Sequence, residues 1–238
     1  MADPYIGEFL GTMMLVLLGD GAIANVLLRK TKGEGSGWIV ITTGWGLALM
    51  VAVAVSLALD GYGHVNPSIT LAAAYVGLID WGVVPGVFIA QFLGGFFGAV
   101  LMFLAYYSHF IETEDPNLKL AVFTTMPQIR NIPLNTITEA IGTAVLAAGV
   151  MAIITLVGDT LWVAPLLVGM LLWAIGLGLG GPTGFSLNQA RDLAPRIAYA
   201  ILPVPGKRDP DLVYGLTATF IGPFIGGFIG GLLYLLIV

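Results

Sequence analysis

Runs of roughly 20 apolar residues recur along the whole chain, separated by short polar stretches, and each is long enough to carry a helix across a hydrocarbon core of about 30 Å. The pattern predicts six spanning helices, at 6 to 28, 37 to 59, 82 to 108, 134 to 157, 161 to 179 and 211 to 236. Two further apolar pieces, 66 to 77 and 188 to 200, are too short to span. Each opens on an asparagine, Asn66 or Asn188, a residue type favoured at a helix N-cap because its side-chain oxygen accepts from the first free backbone N–H groups. Pro67 fits the first helical position, where a missing N–H costs nothing.

The two halves of the chain match. Glu8-Phe9-Leu10-Gly11-Thr12 in the first helix corresponds to Glu139-Ala140-Ile141-Gly142-Thr143 in the fourth, and the stretch from Gln91 to Gly98 in the third to that from Thr219 to Gly226 in the sixth. The chain therefore reads as one transmembrane domain: repeat 1 over 1-109, a connecting loop over 110-133 and repeat 2 over 134-238. Three spans per half is an odd number, so the second copy enters the membrane with opposite topology. The short helices then enter from opposite faces, and their positive dipole ends meet near the midplane. Non-helical backbone at that depth must be buried or line a watery cavity. The carbonyls of Gly63, His64, Val65, Gly184, Phe185 and Ser186 are accordingly expected to line a pore.

Composition agrees with a membrane bundle. The 238 residues are 58% hydrophobic and 10% charged, with mean hydropathy +0.95, whereas soluble domains are about 25% charged. The first apolar run follows an acidic Asp3 and has no basic leader or small-residue cleavage site, so it reads as a retained helix. The absence of cysteine excludes disulfides, thiolate metal sites and cysteine nucleophiles; no metal or cofactor is expected. A formal charge of -5 argues against a nucleic-acid partner.

The segments GHVNPSIT (63 to 70) and GFSLNQARD (184 to 192), with the repeated ExxGT and the eight apolar segments, resemble the aquaporins, or major intrinsic proteins, and within them the glycerol facilitators. The resemblance covers the whole chain. Its boxes here are Asn66-Pro67-Ser68 and Asn188-Gln189-Ala190, with Ser68 in place of the family's alanine and Gln189 in place of its proline. The resemblance implies an all-α membrane fold of six transmembrane helices plus two re-entrant half-helices, arranged as an inverted repeat of two three-helix halves. It also implies a selectivity filter of Trp45, Gly176, Phe185 and Arg191 near the outer mouth. Water-selective members resemble one another in having histidine at the place of Gly176 and a smaller residue at that of Phe185. The expected activity is passive diffusion of glycerol and other small uncharged solutes, with some water, through a homotetramer in the cell membrane with cytoplasmic termini.

Other readings attach to single residues. Trp45 fits an interfacial aromatic belt as well, and the glycines around Gly176 fit close packing. The spacing of Gly94 and Gly98 and of Gly222, Gly226 and Gly230 suits helix contacts within or between protomers. Glu8 and Glu139, with Gln91 beside them in the repeat scheme, are expected to brace the half-helix loops. His64 and Ser68 suggest a hydrolytic pair, but Asn66-Pro67 breaks any shared helix face. Asp20, in mid-helix with no basic partner in the spans, makes a proton-coupled carrier the rival to a channel. Orientation carries a conflict. A cytoplasmic N-terminus puts Arg29, Lys30, Lys32, Lys119, Arg130, Arg196, Lys207 and Arg208 outside, against the positive-inside tendency.

Overall fold

The computed structural model describes residues 3–236, and every regular element among them is helical. Six helices are long and apolar enough to span: Pro4–Leu27, Trp38–Ala58, Trp81–Ala105, Ile132–Val157, Leu161–Leu179 and Leu212–Leu235. Helix starts follow local chemistry. α1 (Pro4–Leu27) begins with Asp3 accepting from the Tyr5 N–H at 2.9 Å, with Pro4 in its first turn. α7 (Ile132–Val157) repeats the device with Asn131, which accepts from the Leu134 N–H.

In the first half, α2 (Trp38–Ala58) is followed by the half-helix α3 (Pro67–Tyr75) and, after a 3-10 turn at Trp81–Val83, by α4 (Val84–Ala105). The expected single helix from 82 to 108 ends sooner. Tyr106 leaves helical geometry, and a separate α5 (Tyr107–Glu112) continues on the surface. The expected connecting loop contains a further helix, α6 (Pro116–Phe123), capped by Asp115 accepting from the Asn117 N–H at 2.8 Å. In the second half, α7 is followed by a 3-10 turn at Leu161–Val163, α8 (Ala164–Leu179) and the half-helix α9 (Gln189–Ile201). The last expected span is broken at Thr217 into α10 (Leu212–Leu216) and α11 (Ala218–Leu235).

The halves are built alike: α1 packs on α2 and α4, and α7 on α8 and α11. Each half-helix docks on the opposite half, α3 against α11 and α9 against α4. The glycine spacing serves these contacts inside the protomer. A Cβ on Gly98 would strike the Met13 carbonyl and Val16 of α1, and one on Gly226 would strike the Ala140 carbonyl and Thr143 of α7. Large apolar side chains such as Ile89, Leu104 and Phe228 stand exposed on the perimeter, as lipid contact requires.

Candidate solute pathway

Asn66 and Asn188 cap the two half-helices. Asn66 Oδ1 accepts from the Ser68 N–H at 2.8 Å, and Asn188 Oδ1 from the Ala190 and Arg191 N–H groups at 3.0 and 3.2 Å. Their amides cross over: Asn66 Nδ2 donates to the Leu187 carbonyl at 2.9 Å and Asn188 Nδ2 to the Val65 carbonyl at 2.8 Å. One hydrogen of each amide is thereby used and one remains. The loops leading to them share a left-handed pattern, with φ of 70° at Gly63 and 44° at Val65 against 44° at Phe185 and 54° at Leu187.

Buried carboxylates hold these loops. Glu8 accepts from the His64 and Val65 N–H groups at 3.0 and 2.8 Å, from Ser56 Oγ and from Gln91 Nε2; Gln91 also donates to Thr70 Oγ1. Glu139 accepts from the Ser186 and Leu187 N–H groups at 3.1 and 2.8 Å. These bonds satisfy backbone donors that would otherwise be costly at this depth.

The two residues at which the boxes differ from the family pattern meet each other. Gln189 Nε2 donates to Ser68 Oγ at 2.8 Å and to the Phe220 carbonyl at 3.1 Å, while Gln189 Oε1 lies 3.0 Å from the same hydroxyl. A polar bond across the junction thus stands beside the asparagine crossover.

Two cavities lie on the axis. The inner one is lined by Asn66, Asn188, His64 and apolar side chains such as Leu49, Ile69 and Val168; the outer one by Trp38, Ile41, Thr125 and Gln128 among others. Trp45, Phe185 and Arg191 border both, which puts them at the neck. The Arg191 guanidinium carbon lies 3.9 Å from the centre of the Trp45 ring. Gly176 stands behind Phe185, where a Cβ would come to 3.1 Å of the ring. Of the expected carbonyl set, Gly63, His64, Phe185 and Ser186 border the inner cavity. Gly184 borders only the outer one, and Val65 borders neither, its carbonyl being taken by Asn188.

Several contacts lie outside the sequence expectations. Trp38, seven residues before Trp45 on α2, sets its ring edge against Phe185 with centroids 5.7 Å apart and donates Nε1 to the Gly176 carbonyl at 3.2 Å. The i, i+7 spacing of the two tryptophans was the available signal. Asp192 ties three segments together. It accepts from Thr125 N and Oγ1, from Thr219 Oγ1 and from Arg196, whose Nη2 also reaches the Thr125 carbonyl. Arg196 is fully buried and Lys119 is 3% exposed, donating to the Pro205 carbonyl, so neither is a free loop charge. Asp20 does have a basic neighbour, Arg191, which the sequence alone did not bring near it. At the surface, Arg130 pairs with Asp211; this hydrogen bond holds the Asp211 carboxyl below its usual range, so the tie persists in acid until that lowered value is reached.

The model of the family described as "Major intrinsic protein" matches residues 2–234. The chain is 53% identical over 220 residues to the "Probable glycerol uptake facilitator protein" of Thermotoga maritima, covering 92% of each chain. It is 39% identical over 226 residues to the "D/L-lactic acid transporter" of Lactiplantibacillus plantarum, covering 94% of this chain and 92% of that one. Among solved structures it is similar to the aquaglyceroporin from Plasmodium falciparum, with a TM-score of 0.82, 29% identity and coverage of 97% and 94%.

Proposed function

The chain belongs to the major intrinsic protein family, and we propose that its axial passage is a passive pore for glycerol and other small uncharged solutes, with some water, closed to ions and protons. The observation that carries this reading is the neck, where the apolar rings of Trp45 and Phe185 meet the Arg191 guanidinium, which lies 3.9 Å from the centre of the Trp45 ring. A polyol presents carbons on one side and hydroxyls on the other; the aromatic faces suit the carbons, and the guanidinium with nearby carbonyls suits the hydroxyls. Gly176 gives the Phe185 ring room to stand at the neck, since any side chain there would crowd it. Cations face Arg191 and two helix N-termini. The second hydrogen of each asparagine amide can donate to a central water and turn its neighbours outward, which opposes proton relay.

Similarity to a protein named a lactic acid transporter supports a second reading, in which protonated lactic acid is a solute. Water selectivity, or passage of urea, dihydroxyacetone or hydrogen peroxide, are the other readings of the same neck. The channel is assigned to the cell membrane as a homotetramer with one pore per protomer and cytoplasmic termini, with no catalytic step and no energy coupling. Stopped-flow light scattering on proteoliposomes under glycerol and sucrose gradients tests it. Glycerol flux well above that of empty vesicles and independent of a proton gradient is expected. Fast water flow without glycerol flux would favour a water pore, and a flux that needs a proton gradient would favour a carrier.

A further inference from the structure

Asp20 lies in the middle of α1, fully buried, and neither carboxyl oxygen has a hydrogen-bond partner among the described residues. Its Oδ1 is 3.9 Å from Arg191 Nη1, a nitrogen that is also buried without a partner. The other acid near that guanidinium, Asp192, is already engaged by Arg196, Thr125 and Thr219. Glu139 of α7 is engaged by the Ser186 and Leu187 N–H groups. Asp20 is therefore the carboxyl left to Arg191. The residue before it completes the arrangement: a Cβ on Gly19 would come to 2.5 Å of the Trp45 ring, the ring on whose face Arg191 lies. Gly19 and Asp20 thus back two walls of the neck from one turn of α1.

Beyond its own backbone N–H, Arg191 donates no hydrogen bond to any other described residue. What flanks its side chain is the Trp45 face on one side and the Asp20 carboxyl on the other. We infer that Asp20 is a positioning residue for Arg191, holding the guanidinium against Trp45 and off the axis, and thereby setting the width of the neck for solutes larger than water. A guanidinium on a long side chain, released from that carboxyl, is free to lean across the passage. Water passes such a neck more readily than a three-carbon polyol does.

The inference rests on the channel reading, and the test separates the two. Glycerol and water permeabilities are measured in the same proteoliposomes for the unsubstituted protein, Asp20→Asn, Asp20→Glu, Arg191→Leu and Asp20→Asn with Arg191→Leu. Absence of glycerol flux in the unsubstituted protein counts against the channel reading itself. Given that flux, Asp20→Asn lowers the glycerol-to-water ratio by about threefold or more, as expected for residues that couple directly. Asp20→Glu, which keeps the carboxyl, retains more of the ratio than Asp20→Asn. In the Arg191→Leu background, Asp20→Asn leaves the ratio where Arg191→Leu alone put it. The inference is overturned by an unchanged ratio in Asp20→Asn, by a glutamate variant no better than the asparagine one, or by an asparagine effect that persists without Arg191. Recovery of folded protein only when both residues are replaced supports it, because a buried charge left alone is what prevents folding. Failure of every Asp20 variant to fold, with or without Arg191, assigns Asp20 to the fold and overturns it too.

Discussion

A Cβ at Gly176 would come to 3.1 Å of both the Phe185 ring and Thr42 Cγ2, tighter than most real contacts, so this glycine is what lets Phe185 and Thr42 close in beside α8. Replacing it by histidine while trimming its neighbour, Gly176→His with Phe185→Ala, exchanges an apolar wall for a polar one. Glycerol permeability should fall by about tenfold or more, the scale set by a small steric and apolar mismatch in a tight site, while water permeability stays within about twofold. Stopped-flow traces of both solutes check this, and unchanged glycerol flux would show that the constriction lies elsewhere. Trp45, Phe185 and Arg191 were legible in the sequence only through the resemblance to the family, whose motifs carry their places over to this chain. Asp20 was visible as an oddity, yet its neighbour was not: residues 171 positions apart meet only through the packing of α1 against α9. Trp38 was missed for the same kind of reason, since its bond is to a backbone carbonyl of a different helix.

Where the half-helices meet, Ser68 and Gln189 bridge two elements that belong to opposite halves. Gln189→Pro restores a common starting residue for a helix but leaves the buried Ser68 hydroxyl without this partner, at a cost of about 1–3 kcal/mol. Adding Ser68→Ala should recover part of that loss, with a coupling of about 1 kcal/mol. Thermal unfolding midpoints of the two single variants and the double in detergent measure the coupling; simple additivity would mean that the contact contributes nothing. Most elements were legible because a membrane leaves few options: helices long enough to span, and short ones only in matched pairs. The surface helices α5 and α6 were not, since loop 110 to 133 lacks a long apolar run. The Asp115-Pro116 start of α6 was nonetheless present, of the same kind as the starts of α1 and α3. The break at Thr217 left no comparable mark in an apolar stretch.

Across the whole molecule, basic residues sit on one side. The cap beyond the neck carries Arg29 paired with Glu34, Lys30 with Glu112 and Arg130 with Asp211, while the opposite loops carry Asp60, Asp80 and Asp159 and no lysine or arginine. With Lys119 and Arg196 buried, fewer free cations stand on that side than the sequence alone implied. A cytoplasmic N-terminus remains the proposed orientation, as the family resemblance implies. An N-terminal epitope should stay inaccessible to antibody in intact cells and become accessible on permeabilisation; labelling of intact cells would reverse the orientation. The backbone before the two asparagines repeats in the two halves at 63 and 185 and at 65 and 187, but the residues differ in kind at the first pair: Phe185 occupies a left-handed position that Gly63 fills in the other half. A bulky residue there costs about 1–2 kcal/mol relative to a glycine. With the filter role proposed for Phe185, heat resistance and solute sorting pull in opposite directions at residue 185.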